Sequence, residues 1–127
     1  MGRALLCLIM LLAAVGCAAP ARADPPREAA QRFYAAVGGG RGEAACALLA
    51  PRAEQRLAEE HGSCAHGVLA LGLRGGTVRG VSVWGGEAQV RMTEDTVFLH
   101  EYPAGWRIRG AGCEPRPPAP YDCEVET

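Results

Sequence analysis

Lysine and asparagine are absent from this sequence, and all 13 of its basic residues are arginine. With many alanines, glycines and prolines, this composition is typical of a G+C-rich genome and carries no information about function. The formal net charge is only −1, and a chain of mixed, nearly balanced charge lacks the dense basic surface that nucleic-acid binding requires. We therefore expect no nucleic-acid partner.

The apolar run at the start of the chain is too short to cross a bilayer, which takes about 20 residues. It covers residues 4–15, twelve in all, and follows a short basic start that contains Arg3. A basic start followed by an apolar stretch of this length is typical of a secretory signal peptide. We predict a signal peptide over residues 1–16 and one exported domain behind it.

Two cleavage sites compete at the end of this segment. The tetrapeptide AVGC over residues 14–17 resembles a lipobox, in which a peptidase cuts before a cysteine that carries a diacylglycerol thioether. The tripeptide ARA over residues 21–23 is an ordinary signal-peptidase site, and cleavage there would secrete a domain starting at Asp24. We favour the lipobox. It predicts lipidation of Cys17, a tether over residues 17–24, and a protein held on the outer face of the cell membrane.

Four cysteines remain whichever site is used: Cys46, Cys64, Cys113 and Cys123. An even number in an exported domain predicts two disulfides, although the sequence alone leaves other pairings open. Cys46 and Cys64 flank one helical stretch, while Cys113 and Cys123 bracket one proline-rich tail. We expect local pairing, Cys46 with Cys64 and Cys113 with Cys123.

The domain, residues 25–127, opens with helical patterns. Asp24 supplies a capping carboxylate, and the two prolines after it suit a first helical turn. Phe33 and Val37 lie at helical spacing and mark the inner side of this first helix. Helices are predicted over residues 24–37, 43–50, 51–61 and 65–73.

After Gly75 the apolar pattern changes to that of strands. Ala88 and Val90 alternate with Glu87 and Gln89, which predicts one apolar and one polar face. Strands are predicted over residues 77–84, 87–92, 96–102 and 106–111. The four prolines between residues 115 and 120 predict an irregular tail. Helices followed by a four-stranded antiparallel meander indicate an α+β fold.

Several segments resemble known proteins. The helix AAQRFYAAV (29–37), the segment CALLAP (46–51) and the meander from VSVW to GAGC (81–113) resemble the nuclear-transport-factor-2-like cone fold. The chain is more closely similar to a family of small exported proteins and lipoproteins of high-G+C Gram-positive bacteria. The features that carry this similarity are the pattern AC-x-LLAP, a second cysteine and a closing GC…P…YDC tail. The resemblance implies helices packed on a curved sheet and a disulfide-closed tail. It implies no particular activity, because the fold hosts enzymes, binding modules and dimerisation domains.

Enzymes of the cone fold hold an Asp, His or Tyr in an apolar pocket, where burial tunes the pKa of that group. The candidates that the resemblance implies here are Tyr34, His100 and Tyr102. His100 shares a strand face with Phe98 and Tyr102, and that face is either pocket wall or core. The sequence pairs none of the candidates with a second catalytic group, so we expect no catalytic residue among them.

Two further sets of side chains are candidates for binding. Trp84 and Trp106 are expected as core anchors at strand ends, and otherwise as surfaces on which a ligand stacks. The weak candidates for ligand binding are Tyr34, His100 and Trp106. Outward strand positions form a polar, positive stripe, which we expect to be solvated: Gln89, Arg91, Arg107 and Arg109.

One cluster contains residue types that bind metals: His61, Cys64 and His66. A zinc or copper site needs at least three converging ligands. Because Cys64 is expected in a disulfide and both histidines at an exposed helix end, we expect no metal. The glycine clusters lack the Lys and Ser/Thr of a phosphate-binding loop, so we expect no cofactor either.

Together these features favour a non-catalytic envelope module that binds a small ligand or a protein partner near the membrane. The alternative is a small cone-fold enzyme that acts on an apolar molecule. A deep pocket between helices and sheet, holding His100 or a Tyr beside a second polar group, would favour the enzyme.

Overall fold

The computed structural model of the chain describes residues 18–127, with side chains from Arg22 onward; the signal peptide predicted over residues 1–16 and Cys17 lie outside the described residues. The helices come first: α1 (Ala18–Gly38), α2 (Gly42–Cys46), α3 (Pro51–His61) and α4 (Cys64–Ala70). The strands follow: β1 (Val78–Trp84), β2 (Glu87–Met92), β3 (Thr96–Tyr102), β4 (Gly105–Arg116) and β5 (Ala119–Glu126). They form one antiparallel sheet in the order β1-β2-β3-β4-β5. The protein is α+β, with helices followed by an open five-stranded sheet.

The first helix begins earlier than the sequence predicts. We expected it to start at Asp24, but α1 starts at Ala18 and contains Pro25 and Pro26. A proline removes one helical hydrogen bond, yet the alanines that precede it have the highest helix propensity, and Pro26 is fully buried. The segment expected as a tether, residues 17–24, therefore overlaps the first turns of α1. None of the described helices is both long and apolar enough to span a membrane.

The space between the helices and the sheet is a packed core. Leu99 on β3 pairs with Ala88 on β2 and with Ile108 on β4, and all three side chains are buried. Burial of each large apolar side chain contributes roughly 1.5–3 kcal/mol. The largest fully buried apolar side chains come from both layers: Phe33, Val68, Val90, Val97, Leu99, Ile108 and Val125.

The tail after Cys113 is a strand pair, so the prediction of four strands and an irregular tail is wrong. β4 continues to Arg116, and β5 pairs with it in antiparallel register. The prolines do not prevent this, because each lies where the ladder needs no amide. Pro115 lies at the register shift in β4, the pair 117–118 lies in the turn, and Pro120 lies in the edge strand β5.

The chain between α2 and α3 covers the edge of β4 that β5 leaves free. The amide of Ile108 donates to the carbonyl of Leu48 over 2.8 Å, and the amide of Ala50 donates to the carbonyl of Ile108 over 2.7 Å. β5 ends near Glu126, which pairs with Gly110. The first half of β4 is therefore bonded to this connection at Ile108, which reduces the exposed strand edge there.

Both disulfides are the local pairs. Cys46 bonds to Cys64, which ties α2 to α4 across a Cα–Cα distance of 6.2 Å. Cys113 bonds to Cys123 across 4.0 Å and ties β4 to β5. Closing loops of this length stabilises the folded state by roughly 2–3 kcal/mol each, mainly by restricting the unfolded chain.

Candidate functional site

One row of paired residues crosses the sheet on the face opposite the core. Trp84 pairs with Glu87, Glu87 with His100, and His100 with Arg107. Paired side chains lie on the same side of a sheet, and this row alternates with the buried one that contains Leu99. We call this side the open face and define it by ten residues: Ser82, Trp84, Glu87, Gln89, Arg91, Phe98, His100, Tyr102, Arg107 and Arg109.

Glu87 contacts two neighbours on the open face, His100 and Arg109. Its Oε1 atom lies 2.6 Å from Nδ1 of His100, and its Oε2 atom lies 3.0 Å from Nη1 of Arg109. The side chains of His100 and Glu87 are 38% and 33% exposed. The pairing of Glu87 with His100 was not predicted from the sequence, although the short turn at residues 93–95 places β2 and β3, the strands that carry them, side by side. The cluster is polar, pre-organised and open to solvent.

The expectation that Trp84 is a core anchor is wrong, because its side chain is 52% exposed. Alternation along β1 explains this, since Val81 and Val83 pack against the core and Trp84 therefore points the other way. That signal was present in the sequence. Trp106 is half-buried and packs against the core.

His100, Phe98 and Tyr102 lie on the open face and are not part of the buried core. The inward residues of β3 are Val97 and Leu99, which are both fully buried. On the open face the aromatic rings pair edge to face: Phe98 contacts Tyr121 of β5 at a centroid distance of 5.1 Å, and His100 contacts Tyr102 at 4.8 Å. Such pairs hold ring positions fixed on a half-exposed surface.

The arginines of the open face have partners within the described part of the chain. Arg91 donates to Oγ of Ser82 over 2.9 Å, and Arg107 donates to the carbonyl oxygen of Ala47. These bonds fix the stems of the side chains and leave each guanidinium with further free N–H donors. The stripe predicted from the sequence is therefore present, and it is interleaved with aromatic rings.

A second polar cluster lies on the other side of the sheet, where α1 meets the turn between β2 and β3. The phenol of Tyr34 donates to Oδ2 of Asp95, which also accepts the amide of Gly112 at 2.9 Å. The Oδ1 atom of Asp95 accepts the amides of Thr96 and Cys113 at 2.7 and 2.8 Å. A carboxylate has about four lone-pair positions, so these four donors saturate it.

Tyr34 is held in its neutral form. Burial raises the pKa of the phenol far above its usual value of about 10, and the hydrogen bond to Asp95 and the negative charge of that carboxylate raise it further. A neutral phenol whose proton is bound to a saturated carboxylate is a poor acid or base. Tyr34 was a candidate from the sequence, whereas Asp95, which lies between the strands predicted over residues 87–92 and 96–102, was not.

Asp95 forms part of the wall of a cleft of about 490 Å³ between the α4–β1 connection and the β4–β5 pair. Leu73 and Arg74 lie on one side of the cleft, and the disulfide between Cys113 and Cys123 lies on the other. The same two residues, Leu73 and Arg74, also line a neighbouring groove of about 380 Å³ beside Tyr34. Both are shallow and border the surface.

The cluster of His61, Cys64 and His66 does not form a ligand set in the structure. Cys64 is in a disulfide, and the amide of His66 donates to Oγ of Ser63, which caps α4. Within residues 18–127, no three His, Cys, Asp or Glu side chains are close enough to share a metal ion.

Comparison of the chain with protein-family models, curated proteins and solved structures finds no match.

Proposed function

We propose that this chain is an exported, lipid-anchored module without catalytic activity, which binds an envelope component through the open face. The proposal includes a cleaved signal peptide over residues 1–16, a lipid on Cys17 and a domain of the nuclear-transport-factor-2-like cone fold. The anchoring is proposed from the motifs of the N-terminal segment, and the binding surface is proposed from the side chains exposed on the sheet.

The packed interior is the observation that carries this proposal. An enzyme acting on an apolar molecule would need a cavity between the helices and the sheet. Phe33, Leu99 and Ile108 occupy that space with no exposed surface. Substrate could enter there only by displacing core side chains, at a cost comparable to that of opening a cavity, about 3–5 kcal/mol for one large residue.

The two pairs of titratable groups also fit a binding module better than an enzyme. His100 and Glu87 lie on an exposed face, where water competes with any bound group and weakens electrostatic stabilisation of a transition state. Asp95 is buried and Tyr34 is partly buried, but all acceptor positions of Asp95 are occupied.

Exposure of aromatic and charged side chains supports the open face as the binding surface. Trp84 leaves about half of its surface in water, and Tyr102 and Phe98 on β3 are half-buried on the same face. Large rings with adjacent arginines are the residue types that most often dominate binding surfaces. Packing of the core does not account for these rings and arginines, because they lie on the opposite side of the sheet.

The test is site-specific photo-crosslinking in envelope preparations of producing cells. A photoreactive side chain at Trp84 is compared with one at Gln55, which is exposed on α3. We expect adducts with an envelope component from position 84 and none from position 55. Equal yields would remove the open face as the binding surface. Chemical turnover of an apolar small molecule by the purified domain would instead support the enzyme.

A further inference from the structure

The open face carries a positive charge that the chain as a whole does not have. Its charged residues are Arg91, Arg107 and Arg109 against Glu87, which gives +2 when His100 is neutral, whereas the whole chain carries −1. The cleft beside Asp95 has the opposite balance, with two arginines and five acidic residues in its lining. Charge is therefore segregated, and the open face suits an anionic partner.

The aromatic residues of this face have a second property in common. Trp84 and Tyr102 each combine an apolar ring with a polar atom, and residues of these two types concentrate at the interface between a membrane and water. Arginine is suited to the phosphate groups found at the same depth, because its planar guanidinium binds two oxygens at once. The open face combines both chemistries along neighbouring strands.

The position of the proposed anchor keeps a bilayer close to the domain. Cys17 directly precedes α1, which is helical from Ala18. The eight residues from Ala18 to Pro25 rise about 12 Å at 1.5 Å per residue. A domain of roughly 100 residues has a radius of gyration of about 13 Å, so the anchor is too short to lift the domain away from the surface. Lipid headgroups are then present at high effective concentration.

We infer that the open face docks on the anionic phospholipid surface of the membrane that holds the anchor, with Trp84 at the lipid interface and Arg107 and Arg109 on phosphate groups. The inference rests on the proposed anchoring through Cys17, and it names the binding partner of the proposed module. Added salt weakens the docking, because the arginine–phosphate attraction is screened while the anchor is not.

The two tryptophans of the chain allow a direct test. The full chain is reconstituted in vesicles of phosphatidylglycerol and phosphatidylcholine whose acyl chains are brominated, because bromine quenches tryptophan fluorescence only at close range. In W106F the emission comes from Trp84 alone, and in W84F from Trp106 alone. We expect marked quenching and a blue shift for Trp84, and little change for the half-buried Trp106.

Charge dependence separates docking from anchoring. Three changes, each made in the W106F background, should reduce the quenching of Trp84 by roughly half or more: vesicles of phosphatidylcholine alone, added salt, and the double change R107Q/R109Q. The reason is that each basic residue near an anionic surface contributes on the order of 1 kcal/mol. Flotation of the vesicles should still carry the chain upward in all these cases. R56Q on α3 is the matched control, and it should leave the quenching unchanged.

The outcomes distinguish the two proposals. A chain that floats with anionic vesicles while Trp84 emission stays unquenched overturns the docking and leaves the anchoring intact. Quenching that does not depend on lipid charge or on Arg107 and Arg109 overturns the role of those residues and thereby the inference. A chain that does not float overturns both proposals. Crosslinks from position 84 to a protein, with no quenching, would assign the open face to a protein partner instead.

Discussion

The phenol of Tyr34 on α1 donates a hydrogen bond to Asp95, which follows it by 61 residues and lies in the turn between β2 and β3. The same carboxylate accepts the amides of Gly112 and Cys113 on β4. Asp95 therefore joins the first helix, the hairpin turn and the long strand at one point. It is also the buried charged side chain among the described residues, so its hydrogen bonds are costly to lose.

Removing this connection should destabilise the domain. Tyr34→Phe leaves Oδ2 of Asp95 with one empty acceptor position and should cost about 1–3 kcal/mol. Asp95→Asn replaces one carboxylate oxygen by an NH₂ group, so the two donors bound to that oxygen lose their acceptor and face another donor. The free energy of unfolding should therefore fall by more, roughly 2–4 kcal/mol. Urea denaturation with disulfides intact measures both. Glu94→Gln is the control, because this neighbouring carboxylate is exposed and forms a surface ion pair with Arg74. Equal costs at positions 94 and 95 would contradict the role given to Asp95.

Tyr34 should also make the stability depend on alkaline pH. Its pKa is raised in the folded state, so the unfolded chain releases this proton first, near pH 10. The stabilisation that the neutral phenol of Tyr34 gives to the folded state is therefore complete below about pH 10, and it is lost as the pH rises further. We expect the phenolate absorbance of Tyr34, obtained as the difference between wild type and Tyr34→Phe, to appear only as the domain unfolds. Its appearance in a folded protein would show that the phenol is not held neutral.

Much of the sheet follows from local patterns in the sequence. β2 and β3 have the predicted bounds, since strict alternation and glycine turns act over a few residues. The fifth strand was not predictable in the same way. Whether a proline disrupts a strand depends on which backbone amides face a neighbouring strand, and only the pairing of β5 with β4 decides this.

The candidate sites show the same division between local and distant information. The orientation of Trp84 follows from the valines that alternate with it, so the sequence contained it. The partners of Asp95 did not follow, because Tyr34 and Gly112 come close only when helix and sheet pack. The pairing of His100 with Glu87 lies between these cases, since it needs only the register of one hairpin.

The two tryptophans should respond very differently to truncation. Trp106→Ala removes a ring that packs against the core, and it should cost about 3 kcal/mol, the lower end for large aromatic residues, because Trp106 is only half-buried. Trp84→Ala should change stability by no more than about 0.5 kcal/mol, as for most surface positions. Thermal melts of both variants with disulfides intact provide the comparison. A large loss at Trp84 would place its ring in a packed environment and weaken the case for an open binding face.

The anchor is tested at Cys17, which lies outside the described residues. Cys17→Ala should abolish incorporation of a labelled fatty acid, because only the thiol can carry the thioether, and it should release the protein from the membrane fraction or stop its processing. Cys7→Ala changes a cysteine within the predicted signal peptide and serves as the matched control, so labelling should persist. Mass spectrometry of the mature N-terminus gives an independent measurement. A mature protein that begins at Asp24 without lipid would identify the ARA site as the one used, and the domain would then meet a membrane only through its own surface. The short tether that raises the effective lipid concentration would then be gone. The open face would remain a lipid-binding surface only if anionic vesicles still quenched Trp84 in the unanchored domain.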